Sequence, residues 1–177
     1  RRQPLGADAE AALRDIEIRP ARADDRATLL GFLVAIQDYE RALDPKLRLG
    51  AEAAESALAE IERKMAAHNG ALLMAVLSGK AIGFVSCHDG DDEDKNLQEK
   101  FRPYGYVSNV FVAADHRGRG VGAALLDAAE DYLAGRGFSR VMLWVMAGNA
   151  NARAVYEKCD YRPYDVLYEK QIAGRNP

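Results

Sequence analysis

Two arginines and three glycines crowd the stretch "DHRGRGVGAALL", Asp115 to Leu126, just ahead of an apolar run. Inside a helix each glycine is disfavoured by up to about 1 kcal/mol against alanine. Their concentration at a helix start therefore needs a reason: a sharp turn, a close helix–strand contact or a bound anion. A helix N-terminus leaves about four backbone N–H groups unpaired and carries the positive end of the helix dipole. Glycines remove the Cβ atoms that would hold a ligand away from those groups, and Arg117 and Arg119 add positive charge. The chemistry this favours is anion binding, best suited to phosphate or pyrophosphate. "GRGVGA" satisfies GxGxxG/A at Gly118, Gly120 and Ala123, yet the next strand, "RVMLWVMAGN", ends without the acid that would hold a dinucleotide's ribose. No GxxxxGK[ST] is present. A purely structural glycine turn is the remaining alternative.

The loop must be held by a strand before it and a helix after it, and the flanking patterns supply both. "YVSNVFVAA" predicts a strand over Gly105 to Val112, and "VGAALLDAAEDYLAGRGF" a helix ended by Gly135 and Gly137. "SRVMLWVMA" is an apolar run that predicts a strand buried on both faces, and "NANARAVYEKCDY" a short helix starting at an Asn. Upstream, "IEIRP" reads as a strand. "DDRATLLGFLVAIQDYERAL" reads as a helix capped by Asp24 or Asp25 and stopped by Pro45. "AEAAESALAEIERKMAAHNG" reads as a second helix closed by Asn69-Gly70, and "ALLMAVLSGKAIGFVSCH" as a hairpin turning through Ser78-Gly79-Lys80. "DGDDEDKNLQEKFRPYG" is a loop, and "YDVLYEKQI" is expected to be the last strand. One α/β domain over 15–171 follows, with an N-terminal extension (1–14) and a C-terminal tail (172–177).

With 177 residues, 49% of them hydrophobic and a net charge of -3, the chain is large enough for one core and lacks the basic footprint of a nucleic-acid binder. No apolar run reaches the roughly 20 residues that span a bilayer, and "RRQPLGADAE" has no apolar core of a signal peptide. A cytoplasmic protein without membrane or nucleic-acid partners is expected. Cys87 and Cys159 stand far apart without metal-ligand spacing. They read as buried thiols, and no metal site is expected. Cys87 beside His88 is a poor nucleophile pair, because neighbours on a strand face opposite ways. His68 and His88 read as structural or surface residues; His116, just before the glycine loop, is placed to touch a phosphate.

"RGRGVG", with Arg117, Gly120 and Gly122, resembles the acetyl-CoA signature R/Q-x-x-G-x-G/A of the GCN5-related N-acetyltransferases, the GNAT superfamily. Some thirty residues on, "NANARAVYEK" resembles that family's N-x-x-A-x-x-x-Y-E-K at Asn149, Ala152, Tyr156, Glu157 and Lys158. The resemblance implies an α/β (α+β) fold. Its mixed, mostly antiparallel sheet has six or seven strands and about four helices, and a central parallel pair near Gly105–Val112 and Arg140–Met146 splays apart. It implies acetyl-CoA as co-substrate. The pantetheine arm would lie along Val110, Phe111 and Val112. The pyrophosphate would rest on Arg117, Gly118, Arg119, Gly120, Val121, Gly122 and Ala123, and the thioester near Asn149 and Tyr156. The implied reaction is direct acetyl transfer to a primary amine: a small cationic amine, an amino acid or peptide, or an aminoglycoside-like acceptor. The Val112 N–H would polarise the carbonyl and Tyr156 would protonate the departing thiolate. A core aromatic with a hydrogen-bonded hydroxyl is the other reading of Tyr156.

Two departures from the family pattern matter. The splayed strand's usual basic Glu is Asn109 here, and an amide takes no proton at neutral pH. The base is elsewhere, with Glu40, Asp38 and the acids of Asp89–Asp94 as candidates, or reached through water, or unnecessary because a fraction of the amine arrives neutral. The usual Gly-Phe after the tyrosine helix is Asp160-Tyr161. If the acidic run borders the acceptor cleft, it favours cationic amines; otherwise it is a solvated loop. The absent base keeps open a second reading, a non-catalytic acetyl-CoA-binding sensor or scaffold. A homodimer is a further expectation.

Overall fold

Leu72, Met74 and Val76 alternate along one strand with Leu73, Ala75 and Leu77, and that alternation builds a core on each face of the sheet. In the computed structural model residues 15–171 are described; the 1–14 extension and the 172–177 tail lie outside the described residues. The elements in order are β1 (Ile16–Pro20), α1 (Arg26–Leu43), α2 (Gly50–Ala67), β2 (Ala71–Leu77), β3 (Lys80–Asp91), β4 (Pro103–Val112), α3 (Val121–Gly135), β5 (Val141–Leu143) and α4 (Ala150–Lys158).

The sheet order is β1-β2-β3-β4-β5; the first three pairings are antiparallel and β4–β5 is parallel. Leu125, Leu126, Ala129 and Leu133 of α3 pack on one face with Ala75, Val85 and Val107. Leu29 and Leu33 of α1, and Leu58 and Ile61 of α2, pack on the other with Met74, Phe84 and Phe111. Each fully buried Leu, Val, Met or Phe among these contributes roughly 1.5–3 kcal/mol.

Most predicted elements are present, with instructive differences at their ends. The hairpin turns on two residues, Ser78 (φ 50) and Gly79 (φ 77), and Lys80 already belongs to β3. That left-handed pair suits the twist of the strands it joins. Asp25 does not cap α1 with its side chain: its carboxylate accepts the Arg22 N–H at 2.7 Å and pairs with the Arg19 guanidinium at 2.7 and 2.9 Å. At the end of α2, Asn69 is left-handed (φ 48) and the Gly70 N–H returns to the Met65 carbonyl at 2.8 Å, as the Asn-Gly signal implies.

The sheet differs from expectation in strand number and in the place of its parallel pair. Five strands are found among the described residues, not six or seven, and the parallel pair lies at the sheet's edge rather than its centre. The apolar run 139–147 forms only three paired residues, because β5 loses its β4 partner after Leu143; Trp144 beyond it is 65% exposed. Of the run "YDVLYEKQI", expected to be the last strand, residues 164–171 are in no strand and Ile172 lies outside the described residues. Val166, Leu167 and Tyr168 are three consecutive apolar positions, so the run lacks the two-residue alternation that would seat one face on the core. All three are exposed, and the segment is held by Lys46–Glu169 and by Tyr164 stacked on the Arg140 guanidinium.

Candidate functional site: an open strand edge beside a glycine loop

The site begins with an extra residue in β4. Ser86 faces Asn109 across the β3–β4 ladder, but its neighbour Cys87 faces Val107, so Ser108 has no partner and forms a β-bulge. A bulge bends its strand and shifts the side-chain alternation by one. Val107 before it and Val110 and Val112 after it consequently face the same α3 core. Pairing between β4 and β5 stops at Val107 and Leu143, immediately before the bulge. The two strands therefore splay as expected, and the bulge accounts for where they part.

Beyond that point one edge of β4 is open. The Ala113 N–H donates to the Ile82 carbonyl, which sets the alternation of the ladder. By that parity the backbone groups of Val110 and Val112 point away from β3, into the gap. Phe111 does not share this orientation: its backbone turns toward β3 and its ring is buried against Phe32 and Phe84.

The glycine loop closes the same end of the gap. Gly118 (φ 74) and Gly120 (φ 83) are both left-handed, a conformation that any Cβ would penalise. Gly120 is the residue before α3, and the first bond into the helix runs from the Ala124 N–H to the Gly120 carbonyl. The N–H groups of residues 118–123 have no hydrogen-bond partner among the described residues. Arg117 donates its Nε to the Val112 carbonyl at 2.8 Å and lies over the Phe111 ring, bracing the loop against β4. Arg119 is exposed and forms no ion pair among the described residues. The result is a concave run of donors with positive charge beside it, next to an unpaired strand edge.

Across the gap stands α4. Asn149 caps it, its Oδ1 accepting the Ala152 N–H at 3.1 Å and the Tyr39 hydroxyl of α1 at 3.4 Å. Asn151 donates to the same Tyr39 oxygen at 3.3 Å. These bonds tie the last turns of α1 to the start of α4. Tyr156 is half-buried and packs beside Tyr161, whose hydroxyl bonds Glu130 at 2.9 Å. Burial first, then the charge of Glu40 and then Tyr106, push the Tyr156 phenol up to about 12. Asp160 adopts φ 65, so the helix end survives the loss of the family's usual glycine.

A cavity of about 240 Å³ lies between α2 and β4, lined by Lys64, Glu60, Tyr106, Ser108 and Asn109 among others. The Ser86 hydroxyl donates to Asn109 Oδ1 at 3.0 Å, while the buried Ser108 hydroxyl has no partner. Tyr106 and Ser108 carried no signal in the sequence; only the bulge brings them to this wall. A larger cavity, about 650 Å³, lies between the helices and the start of β2, away from these residues.

Several expected candidates are placed elsewhere or already engaged. The Asp38 carboxylate accepts the Gly50 N–H at 2.7 Å and so caps α2. The acidic run stands at the opposite end of β4 from the glycine loop, where Asp89 pairs with Arg136, Asp91 with Arg102 and Asp92 with Arg140. Its charge is answered locally. Cys87 is buried, and that burial pushes its thiol up to about 11. Burial lowers the His88 imidazole, which packs against His68 and Tyr106. No group of three or more metal-binding side chains occurs among the described residues, and no described helix is long and apolar enough to cross a membrane.

Residues 33–161 match the Acetyltransferase (GNAT) family. An uncharacterized N-acetyltransferase of Methanocaldococcus jannaschii is 33% identical over 91 residues, 51% of this chain and 38% of that protein, so the chain spans well under half of that relative's length. The structure resembles a GCN5-related N-acetyltransferase from Ralstonia eutropha, with a TM-score of 0.67, 21% identity, and 90% of this chain and 99% of the other covered. It also resembles the aminoglycoside N-acetyltransferase AAC(6')-Iy in complex with CoA, with a TM-score of 0.62, 18% identity, and coverage of 89% and 95%. A matched family spanning most of the chain, and a splayed sheet of the same fold, lead to one conclusion: the chain belongs to the GNAT acetyltransferase family.

Proposed function

We propose that the protein transfers the acetyl group of acetyl-CoA directly to a primary amine. The observation that carries this reading is the run of unpaired backbone N–H groups at 118–123, set beside the open edge of β4. A diphosphate matches the first and an amide-bearing pantetheine arm matches the second, pairing like an added strand with Val110 and Val112. A thioester laid along that edge meets the Val112 N–H, which polarises its carbonyl as charge builds on oxygen. Tyr156 stands across the gap as a protonated phenol to serve the departing sulfur. Holding amine and thioester together in this geometry removes an entropic barrier of roughly 7–11 kcal/mol.

Small cationic amines, amino-acid or peptide amines and aminoglycoside-like acceptors all fit this chemistry. The likeness to an aminoglycoside N-acetyltransferase supports the last of these. The competing reading, a sensor or scaffold that binds acetyl-CoA without turnover, draws on Asn109. Titration calorimetry with acetyl-CoA should give a saturable heat, and a panel of primary amines should release free CoA. A folded protein that gives no heat overturns the proposal; binding with no turnover on any amine favours the sensor.

A further inference from the structure

We infer that the Glu40 carboxylate is the general base that removes the proton from the acceptor ammonium. This rests on the acetyl-transfer reading above and names a catalytic residue within it. Three lines of geometry converge. First, Asn109 stands where the family resemblance implies a basic Glu, and it is an amide whose Oδ1 accepts the Ser86 hydroxyl. Second, the other carboxylates that the sequence offers are engaged or distant, and Glu60 on the cavity wall pairs with Arg63 and Lys64. Asp38 caps α2; Asp89, Asp91 and Asp92 pair with arginines; Asp94 turns its own loop by accepting the Asn96 N–H; and Glu93 is exposed in that same loop. Third, Glu40 lies on the last turns of α1, which Tyr39 pins to Asn149 and Asn151 of α4. Its half-buried carboxylate has no hydrogen bond or ion pair among the described residues.

The Glu40 charge acts on Tyr156 of α4, which Tyr106 of β4 also influences. On its own helix and the following turn, Arg41 donates to the carbonyls of Pro45 and Leu47, and Asp44 pairs with Lys46. Among the described residues no cation is paired with Glu40, and burial holds its carboxyl above its ordinary value. A carboxylate so placed is a better proton acceptor than an exposed one.

The proton balance closes. Glu40 takes one proton from R–NH3+, the freed amine forms the C–N bond, and the C–S bond breaks with its electron pair going to sulfur. Tyr156 protonates that sulfur and is restored by the proton the new amide nitrogen gives up. Glu40 returns its own proton to solvent. The two residues are also coupled in the useful order. While ionised, Glu40 raises the Tyr156 phenol; once it has accepted the ammonium proton that penalty disappears, so loading the base sharpens the acid.

The test compares wild type with Glu40→Gln, using acetyl-CoA and two acceptors. Spermidine is protonated at neutral pH; trifluoroethylamine arrives neutral. Glu40→Gln should bind acetyl-CoA as wild type does yet lose about 100-fold or more in kcat/KM for spermidine at neutral pH. It should lose far less for trifluoroethylamine, and the spermidine deficit should shrink as pH rises. The wild-type profile should show an acidic limb, set above the ordinary carboxylate range, that the variant lacks. Should Glu40→Gln fail to fold, Glu40→Asp, with its carboxylate withdrawn by one methylene, should show a reduced rate and a displaced limb. Equal loss on both acceptors, an unchanged limb, or acetyl-CoA binding without turnover of either amine overturns the assignment of Glu40. Absence of acetyl-CoA binding by wild type instead overturns the acetyl-transfer reading.

Discussion

Tyr156 is a phenol whose proton stays in place. Burial and the neighbouring Glu40 charge hold it near 12, so it remains a donor at every pH at which the fold operates. Replacing it with Phe keeps the ring packed against Tyr161 and removes only the hydroxyl. Tyr156→Phe should therefore lower kcat by about 100-fold while leaving the acetyl-CoA Kd within a small factor, as steady-state kinetics and calorimetry would show; an unchanged kcat would dismiss the acid role. Arg117 teaches a different lesson at the same scale. Its presence beside the glycines was plain from the sequence, but the bond from its Nε to the Val112 carbonyl, which braces the loop against β4, was not. Residue type revealed the charge; only the fold reveals where the charge is spent. Ser108 is the converse. Nothing in "YVSNVFV" marks it, because a bulge is a mismatch between two strands and no single strand contains it.

Elements explain why the loop works as a unit. Gly118 and Gly120 must both be left-handed for α3 to start where its first amides face the gap. An added Cβ at Gly120 carries a strain of roughly 1–2 kcal/mol, and relief of that strain would turn the N–H groups away from their shared focus. Gly120→Ala should thus weaken acetyl-CoA binding about tenfold or more by calorimetry and leave the α3 core, with its buried Leu125, Leu126 and Leu133, largely undisturbed by circular dichroism. Helices and hairpin were legible because each carries its own punctuation: Pro45 after α1, Asn69-Gly70 after α2, Ser78-Gly79 between β2 and β3. The strands beyond α3 were not. β5 is cut short by the departure of β4, and the run after Tyr161 has hydrophobicity without alternation, so its pairing depends on a neighbour its own residues do not encode.

For the whole molecule, stability and function draw on opposite ends of the sheet. The Arg19–Asp25 pair ties β1 to the entrance of α1, and the guanidinium holds the Asp25 carboxyl below its ordinary value. A depressed folded value means that this contribution is complete above the unfolded carboxyl's value of about 3.9. It fades as pH falls through the lower folded value. Asp25→Asn should cost about 1.5–3 kcal/mol at neutral pH. In urea unfolding, the difference from wild type should narrow steadily in strong acid; a constant difference would show that the pair's charge is irrelevant. At the other end, the parted strands leave the β4 edge from Val110 onward with no neighbouring strand, only the Val112 carbonyl being taken by Arg117. Such a ribbon is a template for any extended polypeptide that reaches it, and therefore an aggregation hazard that the proposed coenzyme would suppress by acting as a plug. Of the two forms, the empty protein should be the more association-prone, so on the proposed reading its shelf life in solution would be tied to its ligand.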